Sequence, residues 1–160
     1  MRIGITGHQN IGDDKAERWV GSCIRERLLK VPDLIGLASL AKGADQIFAS
    51  VVLDLGGVIE AVLPFPEYAR SFSNRSDLDR FEYLLSRCAK VTTLPFQGSD
   101  ESSYLSAGEY VVGHSDLVIA VWNGRPAAGL GGTADIVKYA KQIGKPLFHI
   151  DPVRLQCTGT

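Results

Sequence analysis

The chain has 160 residues, of which 45% are hydrophobic and 22% are charged. This composition predicts one domain with an ordinary core. We place the domain at residues 1–153 and expect 154–160, which show no strong pattern, to be a tail. The 17 basic and 18 acidic residues give a net charge of -1, so no general positive field favours nucleic acid or an anionic membrane. No apolar run approaches the roughly 20 residues that span a bilayer, and the first residues lack the pattern of a signal peptide. We therefore expect a cytoplasmic protein that has no membrane partner.

The cysteine pattern argues against a disulfide framework or a zinc site. Cys23, Cys88 and Cys157 are odd in number, far apart in sequence and not in a CxxC arrangement. Cys23 and Cys88 fall on apolar helical patterns and are predicted to be core residues. The histidines and acidic residues show no metal-ligand spacing either, so we predict neither a metal ion nor a cofactor.

Apolar periodicity divides the chain into alternating strands and helices. Short apolar runs predict strands, and apolar residues at helical spacing predict helices. The polar stretch 64–77 is too long for a simple connection and is predicted to be a loop near a ligand. In chain order the predicted elements are strand 2–6, helix 14–29, strand 34–40, helix 46–55, strand 58–63, helix 78–89, strand 91–94, helix 102–113, strand 117–122, a helix that follows Thr133 and stops at Gly144, and strand 146–150.

This alternation predicts an α/β fold. We expect a single-domain, Rossmann-like three-layer sandwich with a mostly parallel sheet of five to six strands. In such sheets ligands bind beyond the carboxyl ends of the strands, so four loops are predicted to converge on one crevice. Their residues are Gly7, His8 and Gln9; Lys42, Gly43 and Asp45; Pro64 and Phe65; and the segment from Gly124 and Arg125 to Thr133.

The loop after strand 117–122 is the strongest single feature. An apolar strand stops at a segment that contains four glycines, and a helix follows Thr133. Glycine lets the backbone approach a ligand closely, and a helix N-terminus favours an anion. We therefore predict that this loop binds phosphate. The predicted cradle consists of Gly129, Gly131 and Gly132 together with Thr133.

Three motifs resemble the SLOG superfamily of Rossmann-like domains, which takes in the Smf/DprA DNA-processing proteins and the Lonely guy (LOG) phosphoribohydrolases. The motifs are Ile5-Thr-Gly-His8, Leu40-Ala-Lys-Gly-Ala-Asp45, and Gly131-Gly-Thr133 before a helix that ends at Gly144-Lys-Pro146. The resemblance covers essentially the whole chain. It implies a nucleotide or nucleotide-derived ligand held by the glycine loops, and self-association into a dimer or tetramer.

The motif of the enzymatic relatives is incomplete in this chain. LOG proteins carry PGGxGTxxE, in which the glutamate takes part in breaking the bond between base and ribose phosphate. Here Ile136 stands at the glutamate position, and Asp135 lies one residue earlier, about 100° away around a helix. Glu109, in the preceding helix, is a second candidate carboxylate for such a site. The catalytic candidates are therefore Glu109 and Asp135, although Ile136 argues against routine N-glycosidic chemistry.

Several candidates have a structural alternative. Thr133 is either a phosphate ligand or the N-cap of its helix. Asp135 and Asp45 either bind a ribose hydroxyl or complement a helix dipole. His8 is a candidate contact for a phosphate or a base. Arg125, Arg70 and Lys42 are either phosphate-binding cations or solvated surface residues.

Three functions remain open. The favoured hypothesis is a nucleotide-binding domain that acts as a sensor or subunit, with phosphate on the glycine loop and the base near His8 and Phe65. The alternative is an enzyme, a LOG-like hydrolase that releases the base from a nucleoside monophosphate. Single-stranded DNA binding is the least favoured hypothesis, because it requires a basic groove and the chain is nearly neutral.

Overall fold

The computed structural model describes residues 1–126 and 131–159, which form a central sheet flanked by helices. In chain order the elements are β1 (Arg2–Gly7), α1 (Asp14–Leu28), β2 (Ile35–Ala38), α2 (Ala44–Asp54), β3 (Val58–Leu63), a 3-10 helix (Tyr68–Ser71), α3 (Arg75–Ser86), β4 (Lys90–Thr93), α4 (Glu101–Gly113), β5 (Leu117–Val121), α5 (Thr133–Gln142), β6 (Leu147–Asp151) and β7 (Gln156–Gly159).

The sheet has the order β4-β3-β2-β1-β5-β6-β7. The first six strands are parallel, and β7 pairs with β6 in the antiparallel direction. The chain builds outward from β1 in one direction through β2 to β4, and then returns to the other side of β1 with β5. This reversal places the topological switch point between β1 and β5, where α/β sheets bind ligands. The predicted α/β, Rossmann-like fold with a mostly parallel sheet is confirmed.

The two faces of the sheet are covered differently. One face carries the main core, a single cluster to which α1, α2 and α3 contribute residues such as Ile24, Phe48 and Phe81 and the strands contribute residues such as Ile5 and Ile119. The other face is covered by α4 and α5 through smaller clusters that include residues of both helices. Strand β5 is buried along its whole length, as its unbroken apolar run predicts for a strand covered on both sides.

Two glycines allow α4 to lie close to its neighbours. A Cβ on Gly4 would come within 2.4 Å of Ser115 Oγ and 2.9 Å of Val111 Cγ1, so β1 lacks a side chain where the end of α4 crosses it. A Cβ on Gly108 would come within 2.4 Å of Ile136 Cδ1, so α4 and α5 also approach closely at this point. These contacts hold α4 across the switch point.

Strand β7 corrects two predictions, because it replaces part of the expected tail and brings the sheet of the described residues to seven strands instead of five to six. Residues 156–159 were expected to belong to a tail without regular structure, whereas Cys157 lies opposite Ile150 and Gly159 opposite Phe148 in the sheet. All four residues of β7 are exposed, so the strand carries no apolar alternation that a sequence pattern would reveal. Its pairing rests on backbone hydrogen bonds at the edge of the sheet.

Within residues 1–126 and 131–159, no helix has both the length and the apolar character that a membrane crossing requires.

Candidate functional site

A crevice of about 450 Å³ opens at the carboxyl ends of β1 and β5. One side is formed by the loop that follows β1 (residues 8–13, the β1 loop). Another side is formed by the loop that follows β5 (the β5 loop), through its segments on either side of residues 127–130. Helix α4 covers the crevice. The lining residues are Ile5, Thr6, Gly7, His8, Gln9, Ser39, Ala41, Asp45, Tyr68, Tyr104, Ala107, Gly108, Val111, Trp122, Asn123, Arg125, Pro126, Gly131, Gly132, Thr133, Ala134 and Ile136. Its size lies within the range of about 300–1,000 Å³ that is typical of small-molecule sites.

His8 is held between three elements. Its N–H donates to Val121 O at 3.0 Å, and its carbonyl accepts from Ala44 N at 3.1 Å. The imidazole Nε2 accepts from Asn123 N at 3.2 Å. A neutral imidazole whose Nε2 accepts a hydrogen bond carries its proton on Nδ1. His8 therefore joins the β1 loop to the β5 loop and has an Nδ1–H donor.

The loop between β2 and α2 packs directly on the β1 loop. Gly43 has φ +85, and a Cβ at this position would lie 2.3 Å from Gln9 O and 2.6 Å from His8 O. Only glycine is compatible with both this φ and this contact. Gly43 therefore serves a backbone-to-backbone contact and does not line the crevice. Lys42, beside it, forms an ion pair with Asp77 at 3.1 Å.

Asp45 is the buried carboxylate of the crevice. It lies in the first turn of α2, and its Oδ2 accepts from Ser39 N at 3.0 Å and from Ala41 N at 3.4 Å. Burial raises the pKa of Asp45 to about 7, and the backbone N–H donors oppose this shift only in part. The carboxyl therefore changes protonation close to neutral pH.

The β5 loop begins with a closed turn that presents Arg125. Asn123 Oδ1 accepts from Arg125 N at 3.1 Å, and Trp122 Nε1 donates to Arg125 O at 2.8 Å. Gly124, at the centre of the turn, has φ +79. Arg125 is exposed at the mouth of the crevice, and its guanidinium forms no ion pair within the described part of the chain.

The N-terminus of α5 opens on the crevice. The N-cap is Gly132, which is extended at φ -70 and ψ 168, and no side chain of the described residues caps the helix. Thr133 is therefore the first helical residue and not the N-cap, so its hydroxyl has no capping function. Gly132, Thr133 and Ala134 all line the crevice. The first N–H groups of a helix have no partner within it and carry a partial positive charge.

Asp135 and Gly131 fix the approach to this helix. Asp135 Oδ2 accepts from Gly131 N at 3.0 Å. Gly131 has φ +81, and a Cβ there would lie 2.8 Å from Leu105 N and 3.0 Å from Glu101 O. The chain therefore passes directly against the backbone of α4 just before α5 begins, and the carboxylate of Asp135 bonds to the loop.

A cluster of aromatic side chains borders the crevice on the side of α3 and α4. Phe65 contacts Tyr68 and Tyr104 edge to face, with ring centroids 5.6 and 5.8 Å apart. Tyr68 packs in turn against Phe81 at 5.5 Å. Tyr68 and Tyr104 line the crevice, and burial raises the pKa of the Tyr68 phenol above its ordinary value, which keeps this hydroxyl protonated.

Eight of the predicted binding residues line this one crevice: Gly7, His8, Gln9, Asp45, Arg125, Gly131, Gly132 and Thr133. The others that the structure describes do not line it: Lys42, Gly43, Pro64, Phe65, Arg70 and Gly124. Arg70 forms an exposed ion pair with Glu67, at 3.0 Å. Gly129 lies outside the described residues.

The two catalytic candidates do not line the crevice either. Glu109 is partly exposed on α4, and Asp135 is bonded to Gly131 N, whereas Ile136 does line the crevice. No sequence pattern predicted the wall formed by Tyr104, Ala107 and Gly108. The only available signal was the run of small residues on one face of α4, and this run also fits plain helix packing.

No protein-family model matches the sequence, and no curated protein sequence matches it. Solved structures do match. DNA processing protein A from Streptococcus pneumoniae has a TM-score of 0.67 at 18% identity, over 94% of this chain and 50% of that protein. The Helicobacter pylori protein of the same name, described by its single-stranded DNA binding mode, has the same TM-score and identity over 94% of this chain and 65% of its own. The molybdenum cofactor carrier protein from Chlamydomonas reinhardtii has a TM-score of 0.55 at 17% identity, over 92% of this chain and 74% of its own.

These similarities show the fold. They confirm the predicted resemblance to the Rossmann-like domains that include the DNA-processing proteins. The chain spans half the length of the pneumococcal protein and 65% of the Helicobacter one.

Proposed function

We propose that this protein binds a nucleotide or nucleotide-derived small molecule in the crevice between the β1 and β5 loops, as a sensor or a nucleotide-binding subunit. The observation that carries the proposal is the uncapped N-terminus of α5, which lines the same crevice as His8, Asp45 and Arg125. An anion site and a polar, aromatic site thus lie in one cavity. This pairing suits a molecule that has a phosphate at one end and a sugar or ring at the other.

The phosphate end is assigned to α5. The N–H groups of Thr133 and Ala134 are the first two of the helix, and the Thr133 hydroxyl is not used as a cap. Gly132 leaves room for a phosphate oxygen to approach the backbone. Arg125 lines the same cavity and adds a guanidinium that binds phosphate through two parallel hydrogen bonds.

The sugar or base end is assigned to the polar and aromatic side of the crevice. Asp45, the Tyr68 hydroxyl and the His8 Nδ1–H provide hydrogen-bonding groups there, and Tyr104 provides an aromatic surface. Such groups recognise hydroxyl and amide edges, and the rings stack on a heterocycle. The molybdenum cofactor carrier of similar fold is named for a small molecule that it carries, which fits a binding function.

Hydrolysis of a nucleotide is the second candidate, and one observation favours it. Asp45 lines the crevice, and its pKa of about 7 is near the value that suits general acid–base chemistry. Against it, Ile136 lines the crevice at the position where the hydrolytic relatives have glutamate. We therefore rank hydrolysis below binding.

The test is calorimetry and thermal unfolding with nucleoside mono-, di- and triphosphates, cyclic nucleotides and a single-stranded oligonucleotide, with base release measured in the same samples. We expect at least one phosphorylated nucleotide to raise the Tm and no base to be released. Base release would establish the hydrolase instead. A shift with the oligonucleotide alone would establish single-stranded DNA binding.

Two variants with matched controls locate the phosphate. Arg125→Ala is expected to weaken binding about tenfold or more, because it removes a charge-assisted contact. Arg70→Ala is its control, since Arg70 is exposed and lies outside the crevice. Gly132→Val is expected to abolish binding and leave the fold intact, because φ -70 suits any residue. If Arg70→Ala and Arg125→Ala weaken binding equally, or if Gly132→Val binds like the parent, the assignment of phosphate to α5 is wrong.

A further inference from the structure

Two cysteines that are 134 residues apart in sequence meet on the side of the molecule occupied by α1 and β7. Cys157 Sγ–H donates to Cys23 Sγ, and the two sulfur atoms are 2.8 Å apart. Both are free thiols. Cys23 is half buried on α1, and Cys157 is exposed on β7. The fold therefore brings two thiols into contact without any local sequence motif.

The contact lies between the edge strand of the sheet and the helical layer that covers one face of it. β7 is an edge strand with four exposed residues, and its register with β6 rests on backbone pairing from Asp151–Gln156 to Phe148–Gly159. α1 belongs to the layer on the main-core face of the sheet. A covalent bond between Cys23 and Cys157 would tie the edge strand to this helical layer.

We propose that Cys23 and Cys157 are a modification site, at which a hydroperoxide oxidises the two thiols to a reversible intramolecular disulfide that fastens β7 to α1. This proposal is independent of the proposed nucleotide site, because neither cysteine lines the crevice.

The reaction balances in two steps. The exposed Cys157 thiolate attacks the hydroperoxide, which gives a sulfenic acid and, after protonation, the first water or alcohol. The Cys23 sulfur then attacks the sulfenic sulfur, the S–S bond forms, and the hydroxyl leaves as water with the proton from Cys23. The two thiols lose two electrons in total, and the O–O bond gains them.

The environments of the two thiols assign these roles. Burial raises the pKa of Cys23 to about 12, so Cys23 is a poor first nucleophile. Cys157 is the exposed partner and meets the oxidant first. A shallow crevice of about 480 Å³ beside the pair, lined also by Glu26, Arg27, Lys30 and Phe148, gives a small oxidant access.

Cys88 supplies an internal control. It is half buried just after α3, and its Sγ–H donates to Leu84 O at 3.3 Å. No other cysteine among the described residues contacts it, so it has no resolving partner within the chain.

The experiment treats the reduced protein with hydrogen peroxide, removes the peroxide, and counts free thiols in denaturant. We expect three thiols before treatment, from three cysteines, and one afterwards. Peptide mapping without reductant should show one linked pair, Cys23 with Cys157. The Tm should rise by about 5 °C or more and return after reduction, because the bond closes a long loop in the unfolded chain.

The variants separate this outcome from general oxidation. Cys157→Ser should lose the linked peptide and the Tm rise, whereas Cys88→Ser should retain both. Three thiols still free after treatment would overturn the proposal. So would a Cys157 disulfide that joins two chains, or a linked pair that includes Cys88.

Discussion

The loops that lead into α2 and α5 resemble each other in sequence and differ in what they do. Each has a glycine N-cap, Gly43 or Gly132, with no capping side chain among the described residues, and each has an aspartate in the first turn. Both aspartates turn back to accept backbone N–H groups of their own loop. The difference lies in what the glycine faces.

At α2 the glycine faces protein. The backbone of the β1 loop covers Gly43, and Ala44 N donates to His8 O, so this helix terminus is already occupied. At α5, Gly132, Thr133 and Ala134 line the crevice. A glycine before a helix therefore indicates close approach of some group, and the fold decides whether that group is a neighbouring loop or a ligand.

The largest expected effect is at Gly43, the glycine that faces protein. Gly43→Ala should destabilise the protein by roughly 3–6 kcal/mol, because the new Cβ meets two carbonyl oxygens at a φ that L-residues rarely adopt. Gly132→Ala should cost less than about 1 kcal/mol, since its φ and ψ are those of an ordinary extended residue. Urea unfolding followed by circular dichroism measures both. Equal losses of stability would mean that Gly43 is not packed more tightly against protein than Gly132.

The second effect concerns Asp45 and depends on pH. The pKa of Asp45 in the folded protein, about 7, lies above its ordinary value of 3.8, so the folded protein holds this proton more tightly than the unfolded chain. Its contribution to stability is therefore greatest below about pH 4, falls as the pH rises to about 7 and is constant above that. Asp45→Asn keeps an acceptor oxygen and carries no charge.

We expect the stability of Asp45→Asn relative to the parent to increase between pH 4 and pH 8 by on the order of 3 kcal/mol. Asp54→Asn, at the exposed end of the same helix, is the control for an Asp-to-Asn substitution outside the buried site. Thermal or urea unfolding at four pH values suffices. A difference that stays constant with pH would show that burial does not hold the proton on Asp45.

Much of the fold could be predicted because buried positions are occupied by apolar residues at the spacing of the strand or helix that they belong to. The run Leu117–Val121 is apolar throughout because β5 is covered on both faces, and helices such as α3 show one apolar stripe. Strand β7 shows no such pattern, since its residues are all exposed. An edge strand held by its backbone is invisible to apolar periodicity.

The site was predictable only in its general location. The carboxyl ends of parallel strands meet at one edge of a sheet, so the convergence of His8, Asp45 and Arg125 followed from topology alone. The wall that contains Tyr104 comes from α4, which crosses the switch point because Gly4 and Gly108 have no side chains. That crossing is a tertiary contact, and no local pattern specifies it.

The smallest expected effect is at Asp135, which holds the loop whose glycine lines the crevice. Asp135→Ala removes the acceptor for Gly131 N in a partly exposed position, so the loss should be about 1 kcal/mol. Asp135→Asn keeps an acceptor and loses only the favourable charge at the helix terminus, about 0.5 kcal/mol.

Nucleotide affinity should follow the same order, because in our proposal Asp135 acts by holding the loop before α5. Urea unfolding and calorimetry on the two variants and the parent measure both quantities. The alternative is that Asp135 is a catalytic carboxylate, as one reading of the sequence allowed. In that case Asp135→Asn would abolish base release from a nucleotide while stability and binding stayed close to those of the parent, since an amide keeps the shape and loses the charge. If Asp135 only positions the loop, the ranking is the opposite: Asp135→Ala weakens stability and binding, whereas Asp135→Asn changes them little.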